Sequence, residues 1–272
     1  MKFPIGFRAE SQHESPTTTA NTNTNHESLP VRSLVDVHFP TRNMTLSYYN
    51  DQFNLENGDF VYVEGKLEGL LGRVVTVNRQ FKIKLSDYKR VIAKVDTHVQ
   101  GQLHLCTSHI ATFDRSVIPY EKIITWFKAP DFDEEEYITG EGDDSFLLEN
   151  LSSMNFDLSV AERGHNYFVN NRVSYISLDG IHGTAIVEGS KPYVVEFDYA
   201  DGEISNLICD CFCNYHCKHE FAAMLQLQET LDMLQKHYCD QYEKSGYFAA
   251  LSKSAFLKYV LGHSETGTFT FH

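Results

Sequence analysis

Cysteine is scarce in this chain. There are six in 272 residues, and four of them fall between positions 209 and 217. Long apolar runs are absent: nothing approaches the eighteen or so residues that cross a bilayer, so no membrane partner is expected. The first residues, Met1 to Arg8, lack an apolar core followed by a small-residue cleavage site. That points away from secretion and toward the cytoplasm. In so reducing a compartment, clustered cysteines serve as metal ligands rather than disulfides. Also missing are a Gly-x-x-x-x-Gly-Lys-Ser/Thr phosphate loop, a Gly-x-Ser-x-Gly elbow and a His-Glu-x-x-His helix. With no paired acid–base motif either, no catalytic residue is predicted and the chain does not read as an enzyme.

Basic residues are absent from 131–150, which carries nine acidic ones. The formal charge of the whole chain is −14, distributed as −1 over 1–30, +3 over 31–130, −9 over 131–150 and −7 over 151–272. Binding to nucleic acid across the whole surface requires neutralised phosphates, and this balance argues against it. A local basic stripe remains at Lys82, Lys84, Lys89, Arg90 and Lys94. It reads first as the solvated face of a strand pair, with nucleic acid as the alternative partner.

These shifts divide the chain. Residues 1–30 hold little to bury and are predicted as a disordered tail; Phe3, Ile5 and Phe7 are the only candidates for a docking motif there. Residues 31–130 form a β domain, 131–150 an acidic linker and 151–272 a second domain. The linker's carboxylates lack the alternating loop pattern of a calcium site.

Within 31–130, short alternating runs are predicted as strands: Ser33–Phe39, Met44–Tyr49, Asp59–Glu64, Arg73–Val77 and Gln80–Leu85. Val91–Leu105 and Ile118–Trp126 are expected to add more. Strands this short and evenly spaced predict a small antiparallel barrel or sandwich, and a small antiparallel β-barrel is the fold expected. The order Val-x-Phe, Tyr-Tyr, Asn-Gly-Asp-x-Val-x-Val-Glu, then Gly-Arg-Val-Val resembles the small C-terminal β domain of yeast polymerase suppressors and some bacterial sporulation proteins. The resemblance covers about residues 33–78 and implies a fold rather than a function.

The second domain is predicted as α+β. Ser159 and Glu162 have capping-box spacing for a helix running to about Asn170. Four strands follow as an antiparallel meander: Arg172–Leu178, Ile181–Glu188, Tyr193–Phe197 and Ile204–Cys209. Asp179-Gly180 and Asp201-Gly202 supply turns. After the cysteines, Phe221, Met224, Leu227, Leu231 and Leu234 recur every three or four residues and form one apolar helix stripe. That stripe is a packing face, with further helices expected toward the C-terminus.

The cluster itself reads Cys209-Asp-Cys-Phe-Cys-Asn-Tyr-His-Cys-Lys-His219. Zinc takes four thiolate or imidazole ligands in a tetrahedron. A Cys-x-Cys pair at a strand end and a Cys-x-His pair at a helix start can supply them, pinning sheet to helix as a zinc knuckle. Two registers compete. Cys209 and Cys211 leave five residues before Cys217 and His219, whereas Cys211 and Cys213 leave three and force a very tight loop. The predicted set is therefore Cys209, Cys211, Cys217 and His219, with Cys213 and His216 beside it. Three thiolates and an imidazole fill the coordination shell, so a structural zinc is expected, one per chain. Cys106 and Cys239 read as isolated thiols, and His38, His104, His109 and His165 as ordinary histidines.

The Cys-x-Cys, the Cys-Lys-His and the following Ala-Ala-Met-Leu helix resemble the SWIM-type zinc finger of bacterial proteins. Upstream, Arg163-Gly164, Tyr167-Phe168, Arg172-Val173, Ala185-x-Val187-x-Gly189-Ser190 and Tyr193-x-Val195 agree with the sheet that precedes that finger. The resemblance covers about residues 155–232; one departure is Phe212, where the family often has proline. It implies zinc binding and roles in DNA-linked complexes or protein contacts. The function expected is a zinc-stabilised adaptor for a protein partner. The alternatives are nucleic-acid binding by the 31–130 barrel, through Lys82, Lys84, Lys89 and Arg90, or an enzyme with an unrecognised site.

Overall fold

The structure, a computed structural model, describes residues 31–130, 145–153, 157–213 and 215–261, and a two-residue ladder between the chain ends. In that ladder β1 (Ile5–Gly6) pairs with β15 (Thr268–Phe269). The remainder of the predicted tail lies outside the described residues, as does 131–144 of the acidic linker.

The fold is mixed α+β, with two multi-stranded antiparallel sheets. The first contains β2 (Ser33–Phe39), β3 (Met44–Asn50), β4 (Phe60–Val63), β5 (Gly72–Asn78) and β6 (Val91–Val95) in the order β3-β2-β5-β4-β6. Alternation in β2 buries Ser33, Val35, Val37 and Phe39 on one face, as period-two patterning requires. The end strands meet at one parallel bridge between Tyr49 and Arg90. Gln80–Leu85, predicted as a strand, is irregular and leads into a 3-10 turn at Leu85–Asp87. The strand that pairs with β4 is instead β6, from Val91 to Val95.

The second sheet has the order β7-β8-β14-β10-β11-β12-β13-β9. β7 (His104–Cys106) and β8 (His109–Thr112) come from the first half of the chain. α1 (Tyr120–Phe127) occupies the stretch predicted as a strand over Ile118–Trp126. Pro119 opens it in an extended conformation, with no N–H to leave unpaired. Ile123 and Trp126, three apart, are both buried, a helical rather than a strand spacing. β9 (Phe146–Leu147) pairs with β13 and is followed by a 3-10 stretch over Leu148–Ser153. The apolar end of the predicted linker is thus packed, with Phe146 and Leu148 buried.

α2 (Leu158–Val169) starts one residue before the predicted cap. Asp157 is the N-cap, and its side chain accepts the Ser159 N–H at 2.7 Å. The meander follows as predicted in order and pairing: β10 (Val173–Asp179), β11 (His182–Glu188), β12 (Pro192–Ala200) and β13 (Glu203–Cys209). It forms half of the larger sheet rather than a sheet of its own. α3 (Lys218–His237), α4 (Cys239–Ser245), β14 (Tyr247–Ser252) and α5 (Lys253–Tyr259) complete the chain. β14, absent from the sequence expectation, is buried throughout and lies between β8 and β10. A strand covered on both faces reads as a continuous apolar run, which periodicity does not separate from a helix.

The central strands β8, β14 and β10 of the second sheet are covered on both faces. Ile176, Leu178, Ala185, Val187, Val195, Phe248 and Ala250 meet Met224, Leu227 and Leu234 of α3. On the opposite face Tyr175, Ile186, Tyr247, Ala249 and Leu251 share a core with Tyr62, Val95, Ile118, Ile123, Trp126, Phe256 and Tyr259. Side chains from 31–130 and 151–272 therefore interleave in one cluster. Among the described residues no helix is long and apolar enough to cross a membrane.

Candidate metal centre

β13 ends at Cys209, which pairs with Val195 of β12. One further ladder bond follows, Asp210 N–H to Val194 O at 3.0 Å, and the Asp210 side chain accepts the Val194 N–H at 2.9 Å. This double tether fixes the strand end before the chain turns through Cys211. At the other side of the loop, Cys217 is the extended N-cap residue of α3. Its N–H donates to Glu220 Oε2 at 3.0 Å, and its carbonyl accepts the Phe221 N–H at 3.2 Å. His219 lies in the first turn, 3% exposed. α3 is held at this height by α2, where Gly164 allows the close crossing. A Cβ at Gly164 would lie 2.7 Å from Phe221 Cβ and 2.9 Å from Lys218 O.

These elements bring one donor atom each from Cys209, Cys211, Cys217 and His219 to within 4.8 Å of one another. His219 Nδ1 is 3.7 Å from Cys209 Sγ and 3.6 Å from Cys217 Sγ. A tetrahedral site with 2.3 Å metal–sulfur bonds has sulfur–sulfur edges of about 3.8 Å, so the donors fit a single ion with little movement. Cys213 is exposed and stands outside the group. His216 Nδ1 is 3.1 Å from Glu220 Oε2, which places it beside the group and off it.

Electrostatics make the same point. Cys209 donates to Cys217, which raises its own pKa strongly, and burial adds to the rise. Burial pushes Cys211 up to about 12. Cys217, accepting from Cys209 and contacting His219, is drawn down to about 4. Ionising more than one of these thiols sets like charges side by side, which opposes it in the absence of a cation. A bound divalent ion removes that restriction, and thiolate ligation is coupled to proton release. Glu220 is raised by burial and by the neighbouring Cys217, and partly lowered by His216.

The ring of His219 is held by aromatics that carried no weight in the ligand prediction. Tyr193 stacks on it with centroids 4.1 Å apart and planes 20° apart. Tyr167 meets it edge-on at 5.5 Å. The available signal was weak: Tyr167, Gly189 and Tyr193 stand out in the sequence only through the family resemblance.

The other sequence-singled residues are scattered. Cys106 is buried, with its pKa pushed to about 11 by desolvation. Cys239 is exposed and donates to Glu243 Oε1 at 3.1 Å. In the basic stripe, Lys82, Lys84 and Lys89 are exposed. Arg90, however, pairs with Asp51 at 2.8 Å, and Lys94 pairs with Asp59 at 2.8 Å. Two of the five cations are thus engaged by carboxylates.

Fold and site together define an α+β protein with a partly buried Cys3His cluster at a sheet–helix junction. No family model, curated protein or solved structure matches the chain.

Proposed function

We propose that this chain is a SWIM-type zinc protein, cytoplasmic and non-catalytic, in which one structural zinc pins β13 to α3 as a knuckle. Its role is to present a protein-binding surface. The observation that carries the reading is the convergence of the Cys209, Cys211 and Cys217 sulfurs and His219 Nδ1. A set of three thiolates and an imidazole suits zinc and leaves no open position for water, which favours a structural over a hydrolytic ion. The first sheet, with its end strands in contact at Tyr49 and Arg90, is read as a small barrel that frames the finger.

A protein partner is favoured by the loop that the metal would brace. Phe212 and Tyr215, both 88% exposed, flank Cys213 between the second and third ligands. Aromatic side chains this exposed are characteristic anchors of protein interfaces. The −7 charge over 151–272 disfavours a polyanionic partner at that position.

The test is metal content. Full-length protein purified without added metal is expected to hold close to one zinc per chain by elemental analysis. Stripping the metal should lower the thermal midpoint, because metal binding of this kind is coupled to folding. Metal-free protein with undiminished thermal stability would sink the structural-zinc reading.

A further inference from the structure

A histidine that binds a metal through one ring nitrogen usually donates the other N–H to a carboxylate, a carbonyl or water. That hydrogen bond fixes the tautomer and the ring orientation. His219 departs from this pattern. Its Nδ1 faces Cys209 and Cys217, while its Nε2 is buried with no hydrogen-bond partner among the described residues. Orientation must therefore come from packing.

The packing is specific. Tyr193 lies nearly parallel to the imidazole, and Tyr167 closes the ring with its edge. Tyr193 is itself anchored: its hydroxyl is 2.9 Å from Ser190 Oγ, and its backbone is paired to Val187 in the sheet. Space for the stack comes from Gly189. A Cβ there would stand 2.8 Å from Tyr193 Cε2 and 3.4 Å from His219 Nε2. Lys191 Nζ lies 5.6 Å from the Tyr193 ring centre and Lys218 Nζ 4.8 Å from that of Tyr167, so a cation covers each tyrosine as well.

We propose that Tyr193, given room by Gly189, is the positioning residue that holds Nδ1 of His219 toward the three thiols, replacing the usual hydrogen bond to Nε2 with a ring stack. The inference rests on the metal-centre reading. It adds that the metal's imidazole ligand is steered by π-contact from the sheet, so metal geometry is linked to the β11–β12 hairpin turn that carries Gly189.

The test uses full-length protein, stripped of metal and titrated with Co(II), followed by competition with zinc. Thiolate charge-transfer bands report the sulfurs, and ligand-field bands report geometry. Tyr193→Leu is expected to shift the ligand-field bands and weaken zinc about tenfold, the lower end of the range for losing a residue that orients a ligand. Tyr193→Phe, which keeps the ring, should match wild type. Gly189→Ala should reproduce the Tyr193→Leu shift by displacing the tyrosine. Ring-nitrogen NMR of the zinc-loaded wild type should show Nδ1 metallated and Nε2 protonated, independently of how any variant folds. Coordination through Nε2, or a Tyr193→Leu protein with wild-type spectrum and affinity, overturns this inference alone. Failure of the wild type to take up Co(II) or zinc overturns the metal-centre reading beneath it.

Discussion

Glu220 Oε2 accepts the backbone N–H of Cys217 at 3.0 Å, so the residue that caps α3 is held by the same helix that presents His219. The cap and the Cys217–His219 pair form one unit. A side chain at the third helical position reaching back to the N-cap N–H satisfies a donor that no intrahelical bond can serve. Glu220→Ala is expected to destabilise the protein by about 1 kcal/mol, with Glu220→Gln retaining most of that contact. Denaturant titrations of both variants at constant zinc check this. Equal stability of Glu220→Ala and wild type would show that the cap contributes nothing.

The ligand register makes a sharp contrast between neighbouring cysteines. Cys209 lies in the four-donor group and Cys213 outside it, exposed. Cys209→Ser should lose most of the zinc, while Cys213→Ser should keep it. Elemental analysis of the two purified variants decides between the registers, and the reverse order of loss would place the ion on Cys213.

Acid should weaken this fold in part through His109. Its ring is fully enclosed, with Nε2 donating to Val173 O at 2.8 Å and Nδ1 2.8 Å from Ser108 Oγ. Burial lowers its pKa from 6.5 to about 4. The folded protein thus keeps this histidine neutral where the unfolded chain protonates it. The associated stability is intact above the unfolded pKa and is lost as pH falls from there toward about 4. Between pH 7 and pH 5 the loss from this group is about 2 kcal/mol. Comparing wild type with His109→Gln at both values cancels the other titrating groups. An identical pH slope in the two proteins would remove His109 from the account.

Contact with nucleic acid, where it occurs, should use the exposed Lys82, Lys84 and Lys89 of the predicted stripe. Arg90 and Lys94 are committed to Asp51 and Asp59, so the decisive change is Lys82→Glu with Lys84→Glu and Lys89→Glu. This triple variant should lose gel-shift binding that wild type shows, and wild-type affinity should fall steeply with salt through counterion release. Retained binding by the triple variant would move the contact elsewhere.

A protease nick within 131–144 should leave the two fragments together. The ladder between β8 and β14 joins His109–Thr112 to residues 249–252, and Tyr62, Trp126, Tyr175 and Phe256 share one core. Gel filtration of nicked protein without denaturant is expected to give one peak at the intact size. Two separated fragments would show that 31–130 and 151–272 are independent folding units.

The sequence by itself determined the local grammar of this protein. Alternation placed β2 through β5 and the β10–β13 meander, because strand periodicity and Asp-Gly turns are local properties. The apolar stripe on α3 and the Cys-x-Cys and Cys-x-His spacings marked the same four side chains that the fold gathers, because those side chains lie at or beside the ends of two elements. Tertiary structure alone decided what depends on neighbours distant in the chain. It left Gln80–Leu85 outside the first sheet, where β6 pairs with β4, and made α1 of most of the stretch Ile118–Trp126, with Trp126 against Tyr259. It drew β7, β8 and β14 into the meander's sheet, where burial of β8 and β14 on both faces erases the alternation that would have announced them. It also placed Tyr193 on the back of His219, twenty-six residues away, a contact no periodicity encodes because β12 and α3 meet only when the sheet and helix pack.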